Sequence, residues 1–246
     1  MSKSGAEIEL IPPPQGEKNM LRFFARTLFI VCSLAALGLF FTACNAARSA
    51  TPAADPLLDN SLAPNSSRQT AVLAGGCFWG MQLLFEHVKG VVSVTAGYSG
   101  GSAQTAEYET VSGGGTGHAE SVKITFDPSQ ITYGRLLKVF FSVAHDPTEL
   151  NRQGPDEGTQ YRSAIFYADD NQLRIARSYV DQLDRAKLFP RKIATQLAPL
   201  AGFYAAEAYH QDYAIRNPSN PYIMINDLPK VARLREQLPD LYVPNK

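Results

Sequence analysis

From position 70 onward the spacing of apolar residues switches repeatedly between a period of two and a period near 3.6, and no other feature narrows the possible folds as much. Thr70-Ala71-Val72-Leu73-Ala74 reads as a short buried strand, residues 91–96 and 120–126 alternate as strands, and 163–167 and 192–197 are further strand candidates. Between them, 79–87, 133–144 and 171–187 carry apolar residues at helical spacing. The second of these stripes is Leu136, Leu137, Phe140 and Phe141; the third is Leu173, Ala176, Val180 and Leu183. Strands interleaved with helices predict an α/β (α+β) fold, with helices packed on a sheet, and exclude an all-helical or all-β chain. The Gly-rich stretches 97–101 and 113–117 are expected to be loops, where chemistry usually resides on a rigid scaffold.

Upstream of this pattern the chain changes character. Residues 28–43 form an apolar run behind Arg22 and Arg26, shorter than the ~20 residues of a typical membrane span and suited to a signal sequence. It ends in Phe41-Thr42-Ala43-Cys44, which resembles the lipobox of bacterial lipoproteins with Phe41 where leucine is usual. An uncleaved anchor remains the alternative, and Met20 offers a second start close to the run. Residues 45–68 are rich in Ala, Pro, Asn and Ser, which predicts a flexible tether. The expected organisation is therefore 1–44 as a signal, lipoprotein or anchor segment, 45–68 as linker and 69–246 as the folded domain, in an exported protein that is membrane-tethered or periplasmic.

Lys plus Arg and Asp plus Glu both number 23, so no basic excess exists to attract nucleic acid. Of three cysteines, Cys32 and Cys44 belong to the apolar run, leaving Cys77 as the lone thiol of the globular part. A lone thiol in an exported chain points to reactivity rather than to a disulfide framework. The four histidines lack Cys or Asp partners at ligand spacing, and no metal site is expected.

Cys77 follows Gly75-Gly76 at the expected start of a helix, where unpaired N–H groups and the positive end of the macrodipole should lower its pKa. The competing reading is a small buried core residue. Phe78 and Trp79, the chain's only tryptophan, stand ready to form an apolar wall beside the sulfur.

The string Gly75-Gly76-Cys77-Phe78-Trp79-Gly80 resembles the active-site signature of the A-type peptide methionine sulfoxide reductases. Similarity continues through Gly97-Tyr98-Ser99-Gly100-Gly101, Tyr108-Glu109, Thr116-Gly117-His118-Ala119-Glu120 and His145-Asp146-Pro147-Thr148. It extends to Arg152-Gln153-Gly154, Asp156, residues 158–163, Ala206-Glu207 and Tyr209-His210-Gln211, covering 71–217.

This resemblance implies a two-layer sandwich around a mixed sheet with a ferredoxin-like core. It implies that Cys77 is the nucleophile, that Glu120 protonates the sulfoxide oxygen, that Tyr108 and Tyr161 donate hydroxyls to that oxygen, and that Phe78 and Trp79 hold the methyl group. Asp156 would steady the hydroxyl and water network, although Pro155 stands before it where the family often has asparagine. Such chemistry suits these residue types, because a sulfoxide is a poor electrophile until its oxygen is protonated, and burial would keep Glu120 neutral. The implied substrate is the S epimer of methionine sulfoxide, free or in proteins.

The last residues, Asp240 to Lys246, contain none of the resolving cysteines that many members carry. The resemblance then implies a one-cysteine, monomeric enzyme without bound cofactor, its sulfenic acid reduced by an external thiol: thioredoxin, glutaredoxin with glutathione, or dithiothreitol. His118 and His210 are expected to support loops, and Glu207 is either a supporting carboxylate or a solvated helix-face residue. Rival readings are a thiol peroxidase, a cysteine acyl-transferase using His118 or His145 as base, and a binding lipoprotein with an inert cysteine.

Overall fold

The computed structural model describes residues 51–64 and 67–244. The apolar run 28–43, with Cys32 and Cys44, lies outside them. No helix among the described residues is long and apolar enough to cross a membrane.

The core follows the order predicted by the hydrophobic pattern. Strand β1 (Gln69–Gly75) leads into helix α1 (Phe78–Glu86), then β2 (Val91–Ser99), a short helix α2 (Tyr108–Ser112) and β3 (Ala119–Phe126). Helix α3 (Tyr133–Val139) runs on as a π-turn, Phe140–Ala144, and the chain returns as β6 (Ser163–Tyr167), α4 (Asp170–Arg185) and β7 (Gln196–Pro199). A two-stranded ribbon, β4 (Arg152–Gln153) with β5 (Asp156–Glu157), interrupts the return. Beyond β8 (Phe203–Ala205) come the single turn α5 (Tyr213–Arg216), a π-turn Ile223–Asp227 and α6 (Leu228–Gln237).

The six-stranded sheet has the order β7-β6-β1-β3-β2-β8. Strands β1, β3, β2 and β6 pair antiparallel, and only β6 with β7 is parallel. The central order β6-β1-β3-β2, with α1 and α3 as crossovers, is the β-α-β-β-α-β arrangement of a ferredoxin-like core. Leu73, Val122, Ile124, Ala96 and Ile165 face the helical layer and pack with Leu84, Phe85, Phe140 and Tyr179. On the opposite face a smaller cluster of Val72, Ala74, Ala164 and Phe166 is covered by Ala198, Leu200 and Phe203.

Several local expectations are corrected. Residues 97–99, expected in a loop, are the end of β2, because β3 and β8 flank them and satisfy their backbone groups. Strand β7 begins only at Gln196, its predicted first half being held irregular by Ala194 N–H to Pro147 O and Ile193 N–H to Asp184. The buried stripe of α4 is Ile175, Ala176, Tyr179 and Leu183, whereas Leu173 and Val180 sit half-buried at its margin.

The expected flexible linker is also different where it is described. Ala53 is buried and its N–H donates to Ser142 Oγ. Tyr179 and Gln182 on α4 bond the carbonyls of Ala54 and Asp55. Asp59 accepts from Thr132 Oγ1 and from Gly134 N–H at the start of α3. Proline-rich composition predicted freedom, but these partners order residues 53–60 as an arm along α3 and α4.

Candidate active site

Two glycines place the thiol. Gly76 has φ +91°, a conformation that favours glycine, and a methyl group there would lie 2.6 Å from Gln153 Cγ. Gln153 is itself fixed, accepting from Asp146 N–H and donating to Glu149. Cys77 follows as the N-cap of α1 and is 9% exposed.

Glu120 projects from β3, only 3% exposed, and its Oε2 accepts the N–H of Phe78 at 3.0 Å. The carboxyl therefore reaches the first turn of α1 beside the sulfur. Burial pushes its pKa up to about 8, offset in part by the Phe78 N–H and raised further by Asp156.

The expectation that the helix start lowers the Cys77 pKa is overturned. Burial pushes the thiol well up, the Glu120 and Asp227 carboxylates add to this, and the N–H of Trp79 and the Lys230 ammonium oppose it only weakly. The free N–H of Phe78 is already spent on Glu120. At neutral pH both Cys77 and Glu120 keep their protons.

Phe78 is buried against Tyr98 and His210, ring centroids 5.7 and 5.1 Å away. Trp79 is stacked on Tyr213 at 3.9 Å, edged by Tyr222, and anchored by its Nε1–H to His210 Nδ1 at 3.1 Å. The two rings form a tilted pair beside the sulfur. Tyr108 opens α2, its N–H held by Glu207 Oε1 at 2.8 Å and its ring 4.5 Å from His210. Tyr161 ends a 3₁₀ turn, Thr159–Tyr161. Burial, and then the nearby Glu120 carboxyl, raise the pKa of both hydroxyls, and Cys77 lies within electrostatic reach of each. Hydrogen bonding, ring contact and electrostatic coupling thus link the seven predicted residues, Cys77, Phe78, Trp79, Tyr108, Glu120, Asp156 and Tyr161, to one another.

Asp156 accepts a short hydrogen bond from Tyr222, a residue that the sequence reading did not single out. Burial raises the Asp156 pKa against the Tyr222 bond and Lys230. Tyr222 sits at the start of the C-terminal helical segment, far along the chain, and only its aromatic type could have drawn notice. Glu207 is a supporting carboxylate rather than a solvated one. It accepts from Tyr98 OH and Tyr108 N–H, and these bonds hold its pKa low although burial pushes the other way. His118 braces the 100–102 loop by accepting from Gly101 N–H and bonding Ser102 O. His145 bonds Ser163 Oγ and the Phe140 carbonyl, packing under Gly75. Among the described residues no cluster of three or more His, Cys, Asp or Glu is placed to hold a metal ion.

A neutral buried acid beside a thiol, with two hydroxyls and an aromatic wall, can protonate an oxygen while sulfur attacks the atom that bears it. Comparison with known proteins shows the family. A family model described as peptide methionine sulfoxide reductase matches residues 69–241. The chain is 59% identical over 185 residues to peptide methionine sulfoxide reductase MsrA 2 of Mesorhizobium japonicum, spanning 75% of this chain and 94% of the relative. A Synechocystis protein of the same name is 52% identical over 76% of this chain and 88% of its own. Among solved structures, reduced Mxr1 from Saccharomyces cerevisiae superposes with a TM-score of 0.58 at 33% identity, covering 67% of this chain and 92% of that one.

Proposed function

The chain belongs to the peptide methionine sulfoxide reductase family and is an oxidoreductase of that class, and from this premise we propose that it reduces the S epimer of methionine sulfoxide, free or in proteins, with Cys77 as nucleophile and Glu120 as acid. The observation that carries this reading is the buried Glu120 carboxyl bonded to Phe78 N–H beside Cys77. With a pKa raised to about 8 it holds a proton at neutral pH that an ordinary glutamate would have lost.

In the step proposed, Glu120 protonates the sulfoxide oxygen as Cys77 Sγ attacks the sulfur, and the thiol proton passes to the vacated carboxylate. The attack forms a bond between Sγ and the substrate sulfur; the protonated oxygen then shifts to Sγ, so that the substrate sulfur–oxygen bond and the new sulfur–sulfur bond both break as a Sγ–O bond forms, methionine leaves as the thioether, and Cys77 is left as a sulfenic acid. Two electrons move from the thiol sulfur to the sulfoxide sulfur. Tyr108 and Tyr161 donate hydrogen bonds to the departing oxygen, Phe78 and Trp79 enclose the methyl group, and Asp156 with Tyr222 steadies the hydroxyl network.

Cys77 is the only free cysteine among the described residues, so no disulfide forms between them. External thiol of the thioredoxin, glutaredoxin with glutathione, or dithiothreitol type then returns the sulfenic acid to thiol, releasing water and a disulfide. The enzyme works as a monomer without bound cofactor. The apolar run 28–43 and Cys44 support an exported enzyme, held at the membrane or released to the periplasm; the mass of the mature N-terminus, with or without lipid, distinguishes these.

Turnover of separate S and R sulfoxide peptides with dithiothreitol tests the reading. Activity on the S epimer that is lost in Cys77→Ser is expected; equal use of the R epimer would overturn it.

A further inference from the structure

Beneath the first turn of α1 lies a buried ion pair that the reaction as described does not use. Lys230 Nζ bonds Asp227 Oδ1 at 3.1 Å; Asp227 is 0% exposed and Lys230 8%. The pair presses on Gly80, the third residue of the helix: a methyl group there would lie 1.9 Å from Asp227 Oδ1 and 2.6 Å from Lys230 Nζ. The missing side chain brings the carboxylate, in front of the ammonium, against the same helix start that holds Cys77. The second oxygen, Asp227 Oδ2, is buried with no hydrogen-bond partner among the described residues. Burying an ion pair with one lone-pair site unmet is costly, and replacing such a pair with apolar residues is often neutral or stabilising. Stability alone gives no reason to keep it.

We propose that Asp227 and Lys230 are positioning residues for the reaction, the carboxylate opposing negative charge on Cys77 from below and the ammonium limiting that opposition. This rests on Cys77 being the nucleophile. Around the thiol, Trp79 N–H comes from its own helix, Glu120 from β3, Asp227, Lys230 and the Tyr222 hydroxyl from the C-terminal helical turns, and the hydroxyls of Tyr108 and Tyr161 from two further segments. Asp156 lies one bond further off, through Tyr222. Of these, Lys230 is the sole full positive charge and Asp227 the acid paired to it. Asp227 thereby occupies the positive end of α1 that an isolated cysteine would have used. The resting site then carries a protonated thiol at neutral pH, slow to react with peroxide and alkylating agents, and at that pH negative charge reaches sulfur only when a sulfoxide oxygen has taken the Glu120 proton.

The test follows iodoacetamide labelling of Cys77 in the full chain across pH, read by mass spectrometry of the tryptic peptide between Arg68 and Lys89, which excludes Cys32 and Cys44. Asp227→Asn leaves the ammonium unopposed and is expected to move the labelling midpoint down by about one pH unit or more, the range for a full charge within a few ångströms. The double variant Asp227→Asn with Lys230→Met removes both charges and is expected to return the midpoint toward wild type. A purely structural pair predicts lowered melting temperatures with an unmoved midpoint. Should Asp227→Asn not fold, Asp227→Ser makes the same change of charge in a smaller side chain. A midpoint that stays or rises in the folded single variant overturns the proposal. Labelling reports thiol acidity whatever Cys77 does, so this failure is distinct from failure of the assignment, which would appear as full turnover by Cys77→Ser.

Discussion

In the proposed reaction Cys77 and Glu120 act as one device, because burial favours a proton on each. Replacing Cys77 with serine is expected to abolish turnover. Glu120→Gln keeps an acceptor for Phe78 N–H but cannot donate a carboxylic proton, and kcat should fall by roughly 10²-fold or more. Tyr108→Phe and Tyr161→Phe should each cost less, since in the proposed step both hydroxyls serve one oxygen. The pH dependence follows from the raised carboxyl: in the proposed step the protonated Glu120 is the working form, so kcat should decline as pH rises through about 8. Stability has the same sign. Between about 4.5 and 8 the unfolded chain has lost the Glu120 proton while the folded chain keeps it, so stability falls as pH rises through this window. Thermal melts of Glu120→Gln against wild type should show that slope reduced; a wild-type slope in the variant would count against a buried neutral acid.

At the scale of elements, segments distant in sequence supply what neighbouring turns lack. Helix α3 starts at Thr132, whose Oγ1 accepts the Arg135 N–H, and the next free donor, Gly134 N–H, is taken by Asp59 from the arm. A methyl on Gly134 would lie 2.5 Å from the Asp59 carboxyl carbon. Asp59→Ala removes this borrowed cap and should lower unfolding free energy by about 1 kcal/mol, within the usual range for a lost cap, with turnover unchanged. Urea titration measures the first and the sulfoxide assay the second. Within the same helical layer, the N–H of Val243 bonds His87 O and that of Lys89 bonds Leu241 O, so the segment after α6 is pinned to the end of α1. That closure keeps Tyr222 against Trp79 and Asp227 beneath Gly80.

For the molecule as a whole, the expected oxidised product is a Cys77 sulfenic acid rather than an internal disulfide. After one equivalent of sulfoxide, intact-mass analysis should find a dimedone adduct on Cys77, or a mixed disulfide when glutathione is present. A Cys44–Cys77 disulfide would refute both the lipoprotein assignment and the one-cysteine cycle. The sequence by itself determined the α/β class, the order of the core strands and helices, and the chemical types at the site. Apolar periodicity is a local signal, and the Gly-Gly-Cys-Phe-Trp string and its companion motifs name residues directly. It misjudged the thiol, because acidity depends on which charges converge from other segments, and here Glu120 and Asp227 already occupy the helix start. It missed Tyr222 and the Asp227–Lys230 pair, and gave the arm as free chain, since a tyrosine, an Asp-x-x-Lys spacing and a proline-rich stretch are all ordinary on a surface. Only the packing of α6 and the arm against the core turned them into fixed partners, for burial and electrostatic neighbourhood are properties of the closed chain and not of any window along it.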